Sequence, residues 1–369
     1  MSEYQYHEWQ TIDRPLTDRE RAEVSKLSSH IDVHSTGAWV EYSWGDFKHD
    51  PKQVLAKYFD AYLYMANWGG RELMFRFPKA LLDGQLVEPY CLEYCVELSA
   101  VGDYWILRIA LGDDQSDSDW IEGSGWLPAL APLRNEILLG DLRALYLAWL
   151  ANIEYTDLDE DDPEPPAPAG LTKLTAPLNR LAQFLEIDKH LLKAAAAGSA
   201  DPQSTPNHVL RDAIAHLPRN ECDELLWRLA QGETNLGPRL LRRLYELIGA
   251  PGPGNQPQRR VGDLLAARDR LAKADQQKQR RAAEARRKEE LEALAQREAA
   301  VWQEVDRLIQ ISQAKAYSEA VTLLQQLRDL ADYKGTQATF QLKLGQLTQQ
   351  YTRRSSLMAA LKSAGLRPL

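Results

Sequence analysis

Two histidines and an aspartate stand close together in SHIDVHS, residues 29–35, and are candidate metal ligands. Two imidazoles spaced i, i+4 converge on one ion when the segment between them is helical. His30 and His34 have this spacing, and Asp32 lies between them. The β-branched residues around them favour an extended chain, in which the two histidines would be about 13 Å apart. The sequence therefore predicts no metal site here.

A carboxylate cluster in DDQSDSDWIEG, residues 113–123, is a second group of candidate ligands. The candidate ligands in it are Asp113, Asp117, Asp119 and Glu122. Such a cluster can bind Ca²⁺ or serve in acid–base catalysis, but it lacks the glycine and the spacing of an EF-hand loop. The favoured interpretation is a solvated turn. Phosphate-loop, HExxH, GxSxG and Rossmann motifs are also absent from the sequence. The sequence predicts no catalytic residue, no cofactor and no metal.

Tryptophans beside charged residues suggest a different kind of chemistry, that of protein recognition. YSWGDF (42–47) and ANWGGR (66–71) each place a Trp–Gly pair next to a charge. Two interpretations are open: aromatic side chains in a domain core, and a surface on which a partner docks. The candidate partner surface comprises Trp39, Tyr42, Trp44 and Trp68.

The stretch KADQQKQRRAAEARRKEE, residues 273–290, contains seven Lys and Arg, four Asp and Glu, and no large apolar residue. Its candidate contacts to phosphates or to an acidic partner are Arg280, Arg281, Arg286, Arg287 and Lys288. Acidic side chains share the face of these cations, and no aromatic residue is interleaved for base stacking. The favoured interpretation is a solvated helix face. Phosphate contact and a coiled-coil seam are the alternatives.

The elements that would position these residues divide the chain into regions. Residues 1–155 hold 23 of the 31 aromatic residues and predict an α+β domain. The acidic, proline-rich segment 156–170 predicts a solvated linker. Short helices with good end signals over 171–249 predict a small all-α domain, and 250–258 predicts a second linker. Residues 259–369 predict a long helix plus a C-terminal helical bundle, so the fold is multi-domain and mainly α overall.

Within the α+β domain, Asp50 and Pro51 are typical of a helix start, and the apolar spacing predicts one helix over 50–70. The segment 88–112 predicts a hairpin of two strands. On the first of these strands Cys91 and Cys95 would lie too far apart for a disulfide. We therefore expect buried, reduced cysteines.

The C-terminal region predicts a single helix from about Asp263 to about Ser312, which would span roughly 75 Å. Large apolar residues appear at heptad spacing only after residue 290. We therefore expect residues 273–290 to be helical and exposed, and residues 291–309 to be buried on one face. Such a helix would act as a spacer.

Charge and hydropathy limit the cellular setting. Net charge is −9, with −17 in residues 1–162 and +8 in residues 163–369, an asymmetry that can orient a partner or hold the two halves together. We find no run of about 18 apolar residues and no secretory signal pattern. The sequence predicts a cytoplasmic protein without membrane contact.

The chain resembles a group of uncharacterised bacterial proteins in MSEYQYHEWQTIDRPLTDRE, EYSWGDF and KYFDAYLYMANWG near its start, and in AVWQEVDRLIQ and AYSEAVTLLQQLRDLA near its end. The resemblance covers most of the chain. It implies a bacterial, cytoplasmic setting and favours a subunit of a nucleic-acid-linked or defence system. It implies no activity and no site residues.

Together these features favour a non-enzymatic scaffold or adaptor that docks a protein partner through the N-terminal domain. One alternative is an accessory subunit that contacts DNA or RNA through the basic C-terminal half. The other is an enzyme with an unrecognised site in the N-terminal domain.

Overall fold

The computed structural model describes residues 4–111, 123–201, 207–249 and 259–367. The chain is mainly α-helical, with one antiparallel sheet in its N-terminal part, as the sequence predicts. None of the described helices is both long and apolar enough to cross a membrane.

The first of two compact units, Met1–Ala272, is built on a sheet of seven strands. The strands are β1 (Gln5–Gln10), β2 (Asp32–Val33), β3 (Gly37–Tyr42), β4 (Ala61–Ala66), β5 (Arg71–Pro78), β6 (Val96–Val101) and β7 (Tyr104–Ala110). They lie in the order β2-β3-β1-β4-β5-β7-β6. Every pairing is antiparallel.

Both faces of the sheet are covered, because side chains alternate between the faces and both sets are apolar. Leu63, Phe75 and Leu107 belong to the core on one face, and Trp9 and Tyr62 to the core on the other. The helices of this unit are α1 (Asp18–Val24), α2 (Pro51–Tyr58), α3 (Gly84–Val87), α4 (Trp126–Leu130), α5 (Pro132–Leu138), α6 (Arg143–Asn152), α7 (Ala176–Phe184), α8 (Lys189–Ala197), α9 (Asn207–Ala215), α10 (Arg219–Ala230) and α11 (Leu236–Ile248). Helix α12 (Val261–Gln296) begins in this unit and ends in the second.

The helix predicted over 50–70 is confirmed at its start and wrong after Tyr58. Asp50 caps α2 by accepting a hydrogen bond from the backbone of Lys52. Phe59 is already extended, and the chain then forms β4. Strand β4 lies between β1 and β5, and this pairing overrides the local helical spacing.

A buried ion network fixes the sheet to helix α5. The fully buried Arg134 binds both carboxylate oxygens of Asp13, at 2.8 and 2.9 Å. Asp60 lies 2.8 Å from Arg76. Burial opposes ionisation of Asp60, yet Arg134, Arg76 and backbone donors hold its pKa below the usual range. Charges buried in this way are stable because each has a partner.

The acidic segment 156–170 differs from the solvated linker that the sequence predicts. Glu164 is only 2% exposed, and Arg259 donates to it at 2.7 and 2.8 Å. Tyr146 donates to the same carboxylate at 2.6 Å, and Pro163 forms a β-bridge with Arg260. The segment therefore anchors the beginning of α12, a contact between residues about a hundred positions apart.

The region predicted as one all-α domain, 171–249, takes part in two separate cores. Leu178 and Phe184 of α7 lie in the core that covers the sheet. Helices α9 to α11 instead surround a small core of Ala213, Leu217 and Leu244. The helical composition was predictable, but its division between two cores was not.

The second unit, Lys273–Leu369, is helical throughout its described part. The expected single helix is interrupted at Arg297, which has φ −117° and ψ 14°. The remaining helices of the second unit are α13 (Glu298–Ile311), α14 (Ala314–Lys334), α15 (Gln337–Gln350) and α16 (Ser355–Ser363).

The exposure expected along this helical region is confirmed. Between 273 and 290 every side chain is exposed except that of Asp275, which is half-buried. From Leu291 onward one face is buried against α14, in a core that includes Val305 and Leu324.

The strand predicted at Cys91 and Cys95 is wrong, because these residues flank a turn. Residues 88–90 form a short 3₁₀ helix, and the backbone N–H of Val96 donates to the Leu92 carbonyl at 2.9 Å. Both cysteines are free thiols, and burial raises the pKa of each. The hairpin of β6 and β7 that follows is confirmed.

Candidate docking surface

Three exposed aromatic side chains lie at one end of the sheet, which we call the aromatic end: Trp44, Trp68 and Tyr94. Trp44 is 72% exposed, Trp68 is 46% exposed and Tyr94 is 73% exposed. The strand register places them together. Gln5 of β1 is opposite both Tyr42 of β3 and Ala66 of β4, so the connections after β3 and β4 leave the sheet at the same end.

Tyr94 lies at the same end of the sheet, near the edge opposite to β3. Ala110 of β7 pairs with Glu72 near the start of β5, and its backbone N–H donates to the Cys95 carbonyl at 2.7 Å. Five strand spacings separate β3 from β6, so the aromatic end is about 24 Å wide.

The connection that carries Trp44 is held by the buried side chain of Gln5. The Gln5 amide donates to the Asp46 carboxylate at 2.6 Å and to the Gly45 carbonyl at 3.3 Å. A buried amide needs such partners, because an unpaired polar group in the interior is unfavourable. The backbone at Trp44 is therefore fixed while its ring stays in solvent.

The turn that carries Trp68 is fixed by Tyr4, the residue before β1. The backbone N–H of Tyr4 donates to the Asn67 side chain at 3.0 Å, and the backbone N–H of Asn67 donates to the Tyr4 carbonyl at 3.0 Å. A Cβ atom on Gly70 would lie 3.3 Å from the Trp68 indole nitrogen. Glycine at this position lets the indole lie against the turn.

Tyr94 holds a backbone conformation that disfavours large side chains, with φ at 63°. Arg108 fixes this turn by donating to the Tyr94 carbonyl at 2.6 Å and to the Glu72 carboxylate. Strained backbone persists where the surrounding structure enforces it, and it clusters at functional sites. An exposed tyrosine ring on such a turn is therefore a candidate contact residue.

A buried polar layer lies beneath the aromatic end. The His7 ring is 4.9 Å from the Tyr64 ring and 5.5 Å from the Phe47 ring, and its Nδ1 lies 2.9 Å from the Tyr62 hydroxyl. Burial lowers the pKa of His7 to about 4, and Asp46 opposes this shift. Burial also raises the pKa of Glu72 despite Arg108 beside it. The neutral imidazole makes this layer part of the core.

The structure separates the four predicted partner residues. Trp44 and Trp68 are exposed at the aromatic end. Trp39 is half-buried, stacks on Tyr6 at 6.2 Å between ring centroids, and packs on the core of one sheet face. Tyr42 packs on the core of the other face and donates to the Ser28 hydroxyl at 2.9 Å. The four residues therefore do not form one patch.

Tyr94 is the residue that sequence reasoning missed. The alternating pattern of YCLEYCVEL suggests a strand, in which this side chain would be one of several facing a neighbour. The available signal was the pair of cysteines and acidic residues around it, which is too weak to identify a turn.

The predicted phosphate contacts on α12 are largely occupied by carboxylates. Arg280 binds Glu284 at 2.9 Å, and Arg286 binds Glu290 at 3.2 Å. The remaining pairs are Arg287 with Asp329 and Lys288 with Glu292. Arg281 has no ion pair among the described residues. This arrangement reduces the positive charge that phosphates would meet.

Of the two groups of candidate metal ligands, the structure describes the histidine group and only the last residue of the carboxylate cluster. Residues 113–122 of the carboxylate cluster lie outside the described residues. His34 lies 3.6 Å from Asp32, and both side chains are exposed, Asp32 on the short edge strand β2 and His34 just after it. Over the described ranges, no group of three His, Cys, Asp or Glu side chains is placed to hold a metal ion.

Comparison of the chain with protein-family models, curated proteins and solved structures gives no match.

Proposed function

We propose that the protein is a non-enzymatic scaffold or adaptor that docks a protein partner on the aromatic end of its sheet. The observation that carries the proposal is the combination of exposed rings and fixed backbones at Trp44, Trp68 and Tyr94. Tryptophan and tyrosine dominate the energetic centres of protein interfaces. A rigid backbone lowers the entropy lost on binding, so these rings are suited to recognition.

A spacing role for α12 is the second part of the proposal. Its exposed stretch 273–290 consists of strong helix formers and is supported by i, i+4 ion pairs. Such a helix is stable without a packing partner. The bacterial, cytoplasmic setting and the two alternative functions remain predictions of the sequence.

Co-purification with matched variants tests the docking proposal. The full chain is tagged and expressed as wild type, as Trp44→Ala/Trp68→Ala/Tyr94→Ala, and as the control Trp227→Ala/Tyr333→Ala. The control removes rings that are also exposed but belong to α10 and α14 rather than to the aromatic end. We expect a partner that co-purifies with wild type and control and is reduced at least tenfold, about 1.4 kcal/mol or more in binding, with the triple variant. Equal recovery with all three proteins would contradict the proposal.

A further inference from the structure

The charges around the aromatic end are predominantly negative. Carboxylates outnumber cations in its connections, in the adjoining parts of the strands and of α2, and in the segment after α7. The carboxylates are Glu41, Asp46, Asp50, Glu72, Glu93, Glu97 and Glu186, and the cations are Lys48, Lys52, Arg71 and Arg108.

Both arginines of this set are already engaged inside the protein. Arg71 is buried, donates to the Phe184 carbonyl at 2.6 Å and pairs with Glu186. Arg108 pairs with Glu72 and lies 4.0 Å from Glu97. These cations are therefore not available to a partner.

Two exposed carboxylates lack a cation. Asp46 accepts from the neutral amide of Gln5, and the described residues give it no ion pair. Glu93 interacts with the Tyr94 hydroxyl beside it and likewise has no cation among the described residues. Each carboxylate stands within two residues of an exposed ring.

Three half-buried tryptophan rings elsewhere in the chain are covered by a cation. Arg180 lies 3.4 Å from the centre of the Trp126 ring. Lys79 lies over Trp105 and Lys343 over Trp302, each at 5.2 Å. In the part of the chain that the structure describes, no cation covers the rings of Trp44, Trp68 or Tyr94. The aromatic end therefore presents ring faces and carboxylates that both attract cations.

We propose that the partner contacts the aromatic end through a segment rich in lysine and arginine. The inference rests on the docking function proposed above. Each ring would take a cation on its face, and Asp46 and Glu93 would add ion pairs at the edge of the contact. Strands β3 and β6, whose connections carry Trp44 and Tyr94, are about 24 Å apart, so an extended segment of about seven residues would span that distance.

Fluorine NMR with defined peptides tests the class of partner. The full chain is labelled with 5-fluorotryptophan, and the Trp44, Trp68 and Trp227 signals are assigned from single Trp→Phe variants. The probes are three twelve-residue Gly/Ser peptides that carry four Arg, four Glu or four Leu. Trp227 is the control, because it is exposed on α10, away from the sheet.

We expect the Arg peptide to shift the Trp44 and Trp68 signals, to leave Trp227 unchanged, and to bind less tightly as salt increases. The variant Asp46→Asn/Glu93→Gln keeps side chains of the same shape and should weaken this binding about fivefold, as loss of two partly exposed ion pairs predicts. No shift with the Arg peptide, or an equal shift with the Leu peptide, would overturn the inference.

The charge variant also separates this inference from the docking proposal. If the native partner is lost with Trp44→Ala/Trp68→Ala/Tyr94→Ala but retained fully with Asp46→Asn/Glu93→Gln, docking stands and the basic segment is wrong. If neither variant affects recovery, the docking proposal itself is wrong.

Discussion

The aromatic end of the sheet and the basic stretch 273–290 are both exposed, but they differ in whether their exposed side chains have partners within the protein. At the aromatic end, buried groups fix the backbone while the rings face solvent. Along α12, the exposed cations Arg280, Arg286, Arg287 and Lys288 pair with carboxylates of the same unit. Exposure alone therefore does not indicate recognition. A surface is a better candidate for recognition when its backbone is fixed and its exposed side chains have no partner within the protein.

The two regions should differ most in the stability lost when one of their arginines is removed. Arg108→Ala leaves the mostly buried Glu72 carboxylate without its cation and releases the Tyr94 turn. We expect the free energy of unfolding to fall by about 3 kcal/mol, as for a broken buried pair. Arg286→Ala, which breaks an exposed i, i+4 pair, should change it by less than about 0.5 kcal/mol. Urea unfolding at neutral pH measures both, and similar losses would remove the distinction between the regions.

The buried layer under the aromatic end should make stability depend on pH. His7 has its pKa lowered to about 4 by burial, so the unfolded chain binds a proton more readily. The folded state therefore has its full stability, as far as His7 is concerned, above the unfolded pKa of about 6.5. It loses stability as the pH falls from there towards 4. Between pH 7 and pH 4.5 we expect His7 to account for a loss of about 2 kcal/mol.

The matched test uses two histidine variants. His7→Gln should unfold in urea with a weaker dependence on pH than wild type between pH 7 and pH 4.5. His34→Gln alters an exposed histidine and should keep the wild-type dependence. An unchanged pH dependence in His7→Gln would show that the imidazole is not held neutral by the fold.

The strained turn at Tyr94 gives a smaller and more specific effect. Both Tyr94→Gly and Tyr94→Ala remove the ring, but only glycine accepts a φ of 63° at little cost. We expect the glycine variant to be more stable than the alanine variant by about 1 kcal/mol in thermal or urea unfolding. Both should lose partner binding equally. A glycine variant no more stable than the alanine variant would mean that the turn is not strained.

The basic stretch 273–290 should not bind nucleic acid. Binding of the full chain to duplex DNA can be measured by fluorescence anisotropy. A salt concentration of about 50 mM strengthens electrostatic binding, so a lack of binding there would be a stringent result. We expect no binding that depends on the five cations. Binding that disappears when Arg280, Arg281, Arg286, Arg287 and Lys288 are all changed to Gln would favour the nucleic-acid alternative and reverse the comparison.

Local signals predicted those features that depend on neighbours in sequence. Asp50 and Pro51 identified the start of α2, and composition identified the exposed stretch 273–290. The two-residue period of a strand also implies that Trp39 and Tyr42 face opposite sides of β3, although the sequence interpretation grouped them.

Distant contacts account for what the sequence could not show. Glu164 is buried only because Arg259 and Tyr146 meet it from remote positions. The Tyr94 turn depends on Arg108 of β7. Local pattern gives no information about such pairings, and the aromatic end is assembled from several of them.

Site-specific photo-crosslinking in cells tests the central claim most directly. A photoreactive phenylalanine is placed at Trp44, at Trp68, at the exposed control Trp227 of α10, or at Arg281 of the basic stretch. We predict a crosslinked product with one protein partner from positions 44 and 68 and none from 227 or 281. Crosslinking of that partner from 227 or 281, with none from 44 and 68, would contradict docking at the aromatic end.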